Sequence, residues 1–497
     1  MKPYLLAIDQ GTSSCRTLIF DHKGTTINIS QKELGISYPE EGWVEQDAVE
    51  IWELQKETIE QALSQSGISA NDIASFGITN QRETTILWDK KTGVPIYNAI
   101  VWQDKRTHSK CLQLKEKGLE SIIREKTGLC LDPYFSATKI AWILENIPKA
   151  SELLRINQLA FGTVDTWVLW KLTNGKYHRT DPSNASRTLL YNIHTHTWDQ
   201  ELLEIFKIPE EILPTVQASD QRIEGPFTVK PIQNIPLGSI LGDQQSSLFG
   251  QQCYRKGMAK NTYGTGCFLL MNTGEKPIIC KNSLLTTIAW QIGDQYQYAI
   301  EGSVFSGGST IQWLRDGLGI IKNAEESENL ARKVKDTNGV IIVPAFTGLG
   351  APHWDSSARA VILGISRGTT KNHIARASLW GIALQVHDLI TAINDEIGTP
   401  ITEIRVDGGG ANNKLLMQFQ SAIYENEILV ASSKESTAWG TASLAGLTVG
   451  VWKNKNELFS QSANFYPQEA DQHIKVESKK MTKMWAKAIP RAKNWIE

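Results

Sequence analysis

Two stretches of the chain follow one pattern. Ala7–Phe20 (AIDQGTSSCRTLIF) and Lys260–Asn272 (KNTYGTGCFLLMN) each run from an apolar segment through a Gly-Thr turn into a second apolar segment. The first turn is Asp9-Gln10-Gly11-Thr12-Ser13-Ser14 and the second is Gly264-Thr265-Gly266. Each reads as a β-hairpin. The recurrence about halfway along the chain points to a duplicated domain, each half opening on its own hairpin. Successive backbone N–H groups in a tight turn make a concavity for an anion, and Asp9 sits at the mouth of the first, where a carboxylate suits a hydrated divalent cation. Taken by itself, the first hairpin reads rather as an ordinary glycine turn in a β-rich domain, so the rest of the chain has to decide.

At 497 residues the chain is too long for one core, and two or three domains are expected. With 51 basic and 53 acidic residues the net charge is −2, so no bulk field draws nucleic acid or a membrane surface. No stretch supplies the ~20 apolar residues of a bilayer span, and the N-terminal residues lack the apolar core of a signal peptide. A cytoplasmic protein without membrane insertion is expected. The six cysteines (Cys15, Cys111, Cys130, Cys253, Cys267 and Cys280) form no CxxC pair, which argues against a disulfide scaffold and a zinc site.

In chain order, Asp47 with Glu50 opens a helix whose apolar positions Ala48, Ile51, Trp52, Ile59, Ala62 and Leu63 recur at helical spacing, and Gly67 closes it. Ile73–Thr79 is strand-like and runs into the polar cluster Asn80-Gln81-Arg82-Glu83-Thr84-Thr85, the place where open α/β sheets keep their sites. Arg82 and Glu83 there are either an ion pair of a surface turn or part of a site. Asp165, inside the apolar run Leu159–Leu172, reads as a structural carboxylate satisfied by neighbouring hydroxyls or backbone. Asp243 follows the apolar approach Leu237–Gly242 at a helix start, either as a plain N-cap or as a functional acid beside backbone N–H groups. Gly307-Gly308 precedes a helix containing Gln312, an arrangement that permits close backbone approach by a ligand. Asn372–Ile397 is a long amphipathic helix stopped by Gly398 and Pro400. It leads to the strand Ile401–Val406 and then to Asp407-Gly408-Gly409-Gly410-Ala411-Asn412-Asn413, a strand–glycine–helix order that suits nucleotide contact. Neither GxGxxG nor GxxxxGK[ST] occurs, which removes dinucleotide and P-loop enzymes. The last helix, Ile474–Trp495, carries a basic solvated face.

Two Gly-Thr hairpins, an Asp-Gly-Gly loop and an acid between the halves resemble the actin, hexokinase and heat-shock-chaperone ATPase superfamily. The segments IDQGTSS, GWVEQD, GITNQRETT, YNAIVWQ, DPYFSATK, TVDTW, NASRT, GDQQ, NTYGTG and VPAFTGLGAPHWD, in this order along the chain, are similar to the FGGY carbohydrate kinases. The resemblance implies an α/β fold of two duplicated RNase H-like domains, each a mixed sheet flanked by helices, over 1–250 (acceptor and phosphate) and 251–497 (nucleotide), with the catalytic cleft between them. It implies transfer of the γ-phosphoryl group of ATP to a terminal hydroxyl of glycerol, with Mg2+ held through water by Asp9 and Asp243 as the catalytic base. By the same resemblance Arg82, Glu83, Tyr134, Asp243 and Gln244 bind the glycerol hydroxyls, while Trp102 and Phe268 wall its carbons. Thr12, Ser13, Ser14 and Arg16 hold ATP phosphates, and Thr265, Gly308, Gln312, Gly409 and Asn413 contact the nucleotide from the second domain. Homodimers or homotetramers are implied as well; a polyol or ketopentose kinase of the same family, acting on a pentulose or erythritol, is the alternative to a glycerol-specific one, and a non-catalytic actin-like ATPase scaffold is the more remote one.

Overall fold

The computed structural model describes residues 2–281, 284–355, 357–398, 400–431, 435–458, 464–466 and 472–496. The first hairpin forms as the sequence predicts: β1 (Tyr4–Gln10) pairs antiparallel with β2 (Ser14–Asp21), Asp9 opposite Arg16. β3 (Thr26–Glu33) continues antiparallel outside β2, while β4 (Ile73–Asn80) and β5 (Leu237–Gly242) add in parallel on the other side of β1. The order across this sheet is β5-β4-β1-β2-β3.

The second sheet repeats the plan. β6 (Met258–Tyr263) and β7 (Cys267–Gly274) are the second hairpin, followed by β8 (Leu285–Ile292), β9 (Gln295–Val304), β10 (Glu403–Asp407), β11 (Ile428–Val430) and β12 (Asn464–Tyr466). Their order is β8-β9-β7-β6-β10-β11-β12. In both sheets the hairpin's first strand is central. Its antiparallel partner and then a further antiparallel strand lie to one side, and two parallel strands lie to the other. The duplication read from the hairpins is therefore a duplication of topology, two mixed sheets flanked by helices.

The helices start and stop where side-chain chemistry dictates. α1 (Ala48–Ser66) is capped by the Asp47 carboxylate, which accepts from the Val49 N–H at 2.8 Å, and ends at Gly67 with φ 68°. α2 (Asp243–Gly250) leaves β5 directly. α3 (Lys371–Ile397) stops at Gly398 with φ 69°. α4 (Lys414–Tyr424), α5 (Ser436–Thr448) and α6 (Gln472–Ala492) complete the second half. On α6, Ile474, Met481, Trp485 and Ile489 are buried while Lys479, Lys480, Lys483 and Lys487 face solvent, the basic face expected. Among the described residues no helix is long and apolar enough to cross a membrane.

One element departs from a clean halving. α5 is apolar all round and therefore needs cover on every side. It lies against α2 and the first sheet rather than its own, joining Leu5, Phe20, Leu241, Phe249, Trp439 and Ala442 in one apolar cluster. The crossing with α2 is close enough that a Cβ on Gly440 would sit 1.8 Å from the Ser246 carbonyl oxygen, so only glycine fits there. We propose 250 and 251 as the division between the two sheets, with α5 crossing it.

Candidate active site

Strand register gathers the polar ends. Gln10, Asn80 and Gly242 are aligned on β1, β4 and β5, so Asp9, the Arg82-Glu83 pair and Asp243 all leave the first sheet at one edge. Thr262 on β6 is aligned with Asp407 on β10, which brings the Gly264–Gly266 turn and the Gly408–Gly410 loop to one edge of the second sheet. Carboxyl ends of adjacent strands are where α/β sheets bind ligands.

Arg82 and Glu83 are no surface ion pair. They are 3% and 1% exposed, in a cluster of charges drawn from both halves. Arg82 donates from Nη1 and Nη2 to the two oxygens of Glu301 at 2.6 and 3.1 Å, and its Nε lies 3.2 Å from Asp243. Glu83 accepts from Arg187 Nε at 2.5 Å, with Arg82 Nε 3.9 Å away. Arg187 Nη2 donates to Glu301 at 3.0 Å. Both terminal nitrogens of the Arg82 guanidinium are thus bound to Glu301, and its Nε lies beside Asp243. Burial raises the Glu83 carboxyl above its ordinary range despite Arg187 and Arg82, whereas for Glu301 the same burial is outweighed by those two arginines, which hold it at about 2. Glu83 also keeps φ at 61°, in the left-handed region, a strain of about 1–3 kcal/mol that the surrounding ion pairs sustain.

Asp243 is the first residue of α2, with Gly242 in the cap position, so it is not a plain N-cap. Its side chain is 30% exposed to the cleft. Burial raises its carboxyl, opposed by Arg82 and Lys260. The neighbouring Gln244 accepts from Lys260 Nζ, which also donates to Thr262 Oγ1 at 3.0 Å, a link from β6 to the start of α2. Burial lowers the Lys260 ammonium to about 8, against Asp407 and Asp243.

Aromatic rings flank the cluster. Trp102 lies 5.5 Å from Tyr134 and 6.5 Å from Phe268, centroid to centroid, and its Nε1 donates to Thr12 Oγ1 at 2.9 Å. Tyr134 Oη accepts from Arg82 Nη2 at 3.4 Å. The Tyr134 loop is held by the buried Lys139, whose Nζ donates to the carbonyls of Pro133, Tyr134 and Phe135 at 2.9, 2.6 and 3.0 Å. Burial pushes the Lys139 ammonium down to about 7 from 10.5. Between those values the unfolded chain binds a proton that the folded chain does not, so this group's contribution to stability rises with pH there and is flat below 7. Lys139→Met is expected to remove that rise, at most about 1.4 kcal/mol per pH unit. Unfolding free energies of parent and variant compared across this window check it, and equal slopes would contradict the assignment.

On the nucleotide side, the backbone N–H groups of Gly307 and Gly308 donate to the carbonyls of Thr265 and Gly264 at 2.8 and 2.7 Å, clamping the second turn to the start of the short helix Gly308–Gln312. A Cβ on Gly308 would lie 2.8 Å from the Gly264 oxygen. Thr265 is exposed on this turn and Gln312 on the helix. Gly408 takes φ 84°, and a Cβ on Gly409 would meet nothing within 4 Å, so the glycine loop is open to an approaching flat group. Asn413 caps α4 through its side chain, which accepts from the Leu416 N–H at 2.9 Å, and its Nδ2 donates to Ser327 Oγ at 3.4 Å. In the first turn Gly11 N–H donates to the Ser14 carbonyl at 3.0 Å, and Ser13 is exposed. Arg16 bridges Asp9 to Glu435 (2.7 Å to the latter), a contact across the two halves.

Register and folding therefore bring Asp9, Arg82, Glu83, Tyr134, Trp102, Asp243, Gln244 and Phe268 to one cleft, and Thr265, Gly308 and the glycine loop to its other wall. Sequence reasoning missed Arg187, Glu301 and Lys260. The available signals were an arginine close to an apolar run (Arg187 before Leu189-Leu190), a carboxylate inside the strand Gln295–Val304, and a lysine opening the second hairpin. Asp165, by contrast, is structural as expected: fully buried, it accepts from Thr163 and Thr180 hydroxyls at 2.5 and 2.7 Å.

The chain matches the N-terminal domain of the FGGY family of carbohydrate kinases over residues 4–250 and the C-terminal domain over 259–449. It is 52% identical to a curated glycerol kinase of Dichelobacter nodosus over the whole of both chains, and 54% identical to one of Paraburkholderia phytofirmans over 99% of each. The crystal structure of Plasmodium falciparum glycerol kinase with ADP is similar at TM-score 0.90 and 36% identity over 98% of both chains. A xylulose kinase of Lactobacillus acidophilus shares the fold at TM-score 0.87 and 22% identity over 98% of both chains. On this sequence coverage and this duplicated topology, the chain belongs to the FGGY family of carbohydrate kinases.

Proposed function

We propose that the chain transfers the γ-phosphoryl group of ATP to a terminal hydroxyl of glycerol, giving sn-glycerol 3-phosphate and ADP. The observation that carries the reading is the convergence of Arg82, Glu83, Tyr134 and Asp243 between Trp102 and Phe268. This is a small acceptor site with charged donors and acceptors at one end and aromatic faces along its side. Full-length relatives named glycerol kinase support the acceptor.

In this reading Arg82 Nε and Tyr134 Oη donate to acceptor hydroxyls and Glu83 accepts from one. Gln244 assists from the first turn of α2. Asp243 aligns the attacking hydroxyl and takes its proton. Phosphoryl transfer through a loose transition state depends chiefly on alignment and on charge stabilisation. Asp243 provides the alignment from a helix start next to Arg82 and Lys260. The turn Thr12-Ser13-Ser14 with Arg16 faces the phosphates from one half. Thr265, Gly308, Gln312, Gly409 and Asn413 face the nucleotide from the other, the last through a side chain that also caps α4.

Among the described residues no three His, Cys, Asp or Glu side chains cluster as a cage for a metal ion. Asp9 offers one carboxylate, already bonded to Arg16, at the same edge of the first sheet as Asp243. That donor set fits Mg2+, which keeps several waters and takes its other ligands from substrate phosphates. Asp9 would hold it through water. When bound it neutralises charge on the β- and γ-phosphates. Assembly into homodimers or homotetramers in a cytoplasmic setting completes the proposal.

ADP release coupled to an optical signal, with glycerol, dihydroxyacetone, erythritol and xylulose as acceptors and a no-acceptor control, tests the reading. Glycerol is expected to give the highest kcat/KM. Xylulose ahead of glycerol would favour a pentulose kinase, and equal ADP without acceptor would favour an ATPase.

A further inference from the structure

Glu301 lies on β9 of the second sheet, between Ile300 and Gly302, and is wholly buried. Its neighbours across the sheet are Leu270 on β7 and Leu285 on β8, an apolar setting in which a carboxylate persists only if it is fully paired. Among the described residues its hydrogen-bond donors come from the other half of the chain. Oε2 accepts from Arg82 Nη1 at 2.6 Å, and Oε1 accepts from Arg82 Nη2 at 3.1 Å and from Arg187 Nη2 at 3.0 Å. Both oxygens are committed to guanidinium groups, so Glu301 is placed to act on an acceptor only through them.

What it does to those groups is directional. With two nitrogens of Arg82 gripped from behind, the guanidinium plane is fixed and its Nε edge is turned toward Asp243, 3.2 Å away, with Nη2 still 3.4 Å from Tyr134 Oη. Arg187 is held at Nη2 by Glu301 and at Nε by Glu83, and its remaining nitrogen, Nη1, is buried with no hydrogen-bond partner among the described residues. Without Glu301, two buried arginines would face each other with Glu83 and Asp243 as their remaining counter-charges. Arg82 would then collapse onto Asp243 and Glu83, the groups assigned to the acceptor.

We propose that Glu301 is a positioning residue of the acceptor site: reaching in from the second sheet, it orients Arg82 directly, and Glu83 through Arg187, for the acceptor. The inference rests on the glycerol-phosphorylating reading above. It adds to Phe268, whose ring lines the site, a charged residue of the second half that bears on the acceptor.

The test is steady-state kinetics of Glu301→Gln and Glu301→Asp beside the parent, varying glycerol and ATP separately and recording acceptor-free ADP release and thermal unfolding. Removing one partner of a buried charge pair in a binding site commonly costs tens- to thousands-fold. For Glu301→Gln the glycerol KM is expected to rise about 100-fold or more, with the ATP KM and acceptor-free ADP release within a few-fold of the parent. Glu301→Asp keeps the charge on a shorter reach and should recover only about tenfold of that loss, its glycerol KM staying well above the parent's. A glycerol KM unchanged in Glu301→Gln, or glycerol and ATP constants rising together, would overturn the proposal. If Glu301→Gln does not fold, Glu301→Asp alone decides: a shortened reach should still raise the glycerol KM selectively, and an unchanged constant overturns the proposal. A parent without glycerol-dependent ADP release would instead remove the proposed function, and this inference with it.

Discussion

Replacing Asp243 by asparagine is expected to lower kcat for glycerol phosphorylation by about three orders of magnitude or more, with the glycerol KM within a few-fold of the parent. The side chain keeps its size and its place at the first turn of α2, and an amide oxygen can still face Arg82 Nε, so the acceptor pocket stays formed. What is lost is the most exposed carboxylate of the cluster. Glu83 and Glu301 are at most 1% exposed in their side chains and bound to arginines, so neither can take its place. The pH profile carries a second signature. Burial raises the Asp243 carboxyl above the usual aspartate range despite Arg82 and Lys260. The acid limb of kcat/KM in the parent should therefore lie above the ordinary aspartate value, activity falling as pH drops and Asp243 takes up a proton. Steady-state kinetics across acid pH measure both effects, and a variant with near-parental kcat would remove Asp243 from the mechanism.

Glu83→Ala should act on binding and on stability together. Among the described residues Glu83 is the acceptor for Arg187 Nε, and with Glu301 and Asp243 it neutralises the two buried arginines. Deleting it leaves Arg187 paired with Glu301 alone in a dry site, and breaking a buried pair costs about 3–5 kcal/mol. The same deletion takes away an acceptor for a substrate hydroxyl, and sites built around such hydroxyl contacts lose about 10⁴-fold or more when the contact is absent. The expected result is a glycerol kcat/KM lowered by at least about three orders of magnitude, mostly through KM, with a fall in Tm of several degrees or more. Alanine inherits the same left-handed backbone that glutamate tolerates, so the difference reports the carboxylate and not the turn. Thermal unfolding alongside kinetics checks it. A variant that is stable and binds glycerol normally would show that the charge cluster is dispensable.

How much of this was legible in the sequence follows from how local each signal is. Hairpins, capped helices and strand ends are written over a few residues: Asp47 and Gly67 bracket α1, Gly398 stops α3, and the Gly-Thr turns mark β1–β2 and β6–β7. The duplicated strand order follows from those repeats once the parallel strands are added. The interior of the site is a different matter. Arg82 was visible as a residue but not as a buried one, because its burial is made by Glu301, more than two hundred positions away. Glu301, Arg187 and Lys260 each look like an ordinary charge beside an apolar run, and only the meeting of two sheets shows that they neutralise one another. α5 is similar. Its all-round apolar pattern demands burial without saying against which sheet, and the close approach of Gly440 to Ser246 answers that only in three dimensions.

Phosphorus NMR of the products formed from ATP and glycerol by the parent and by Asp243→Asn tests the transfer and its base together. One new phosphomonoester on a terminal carbon of glycerol, equimolar with ADP, is expected from the parent, and no ester above background from the variant over the same time. Inorganic phosphate in place of the ester, or an ester formed by Asp243→Asn at the parental rate, would contradict that expectation.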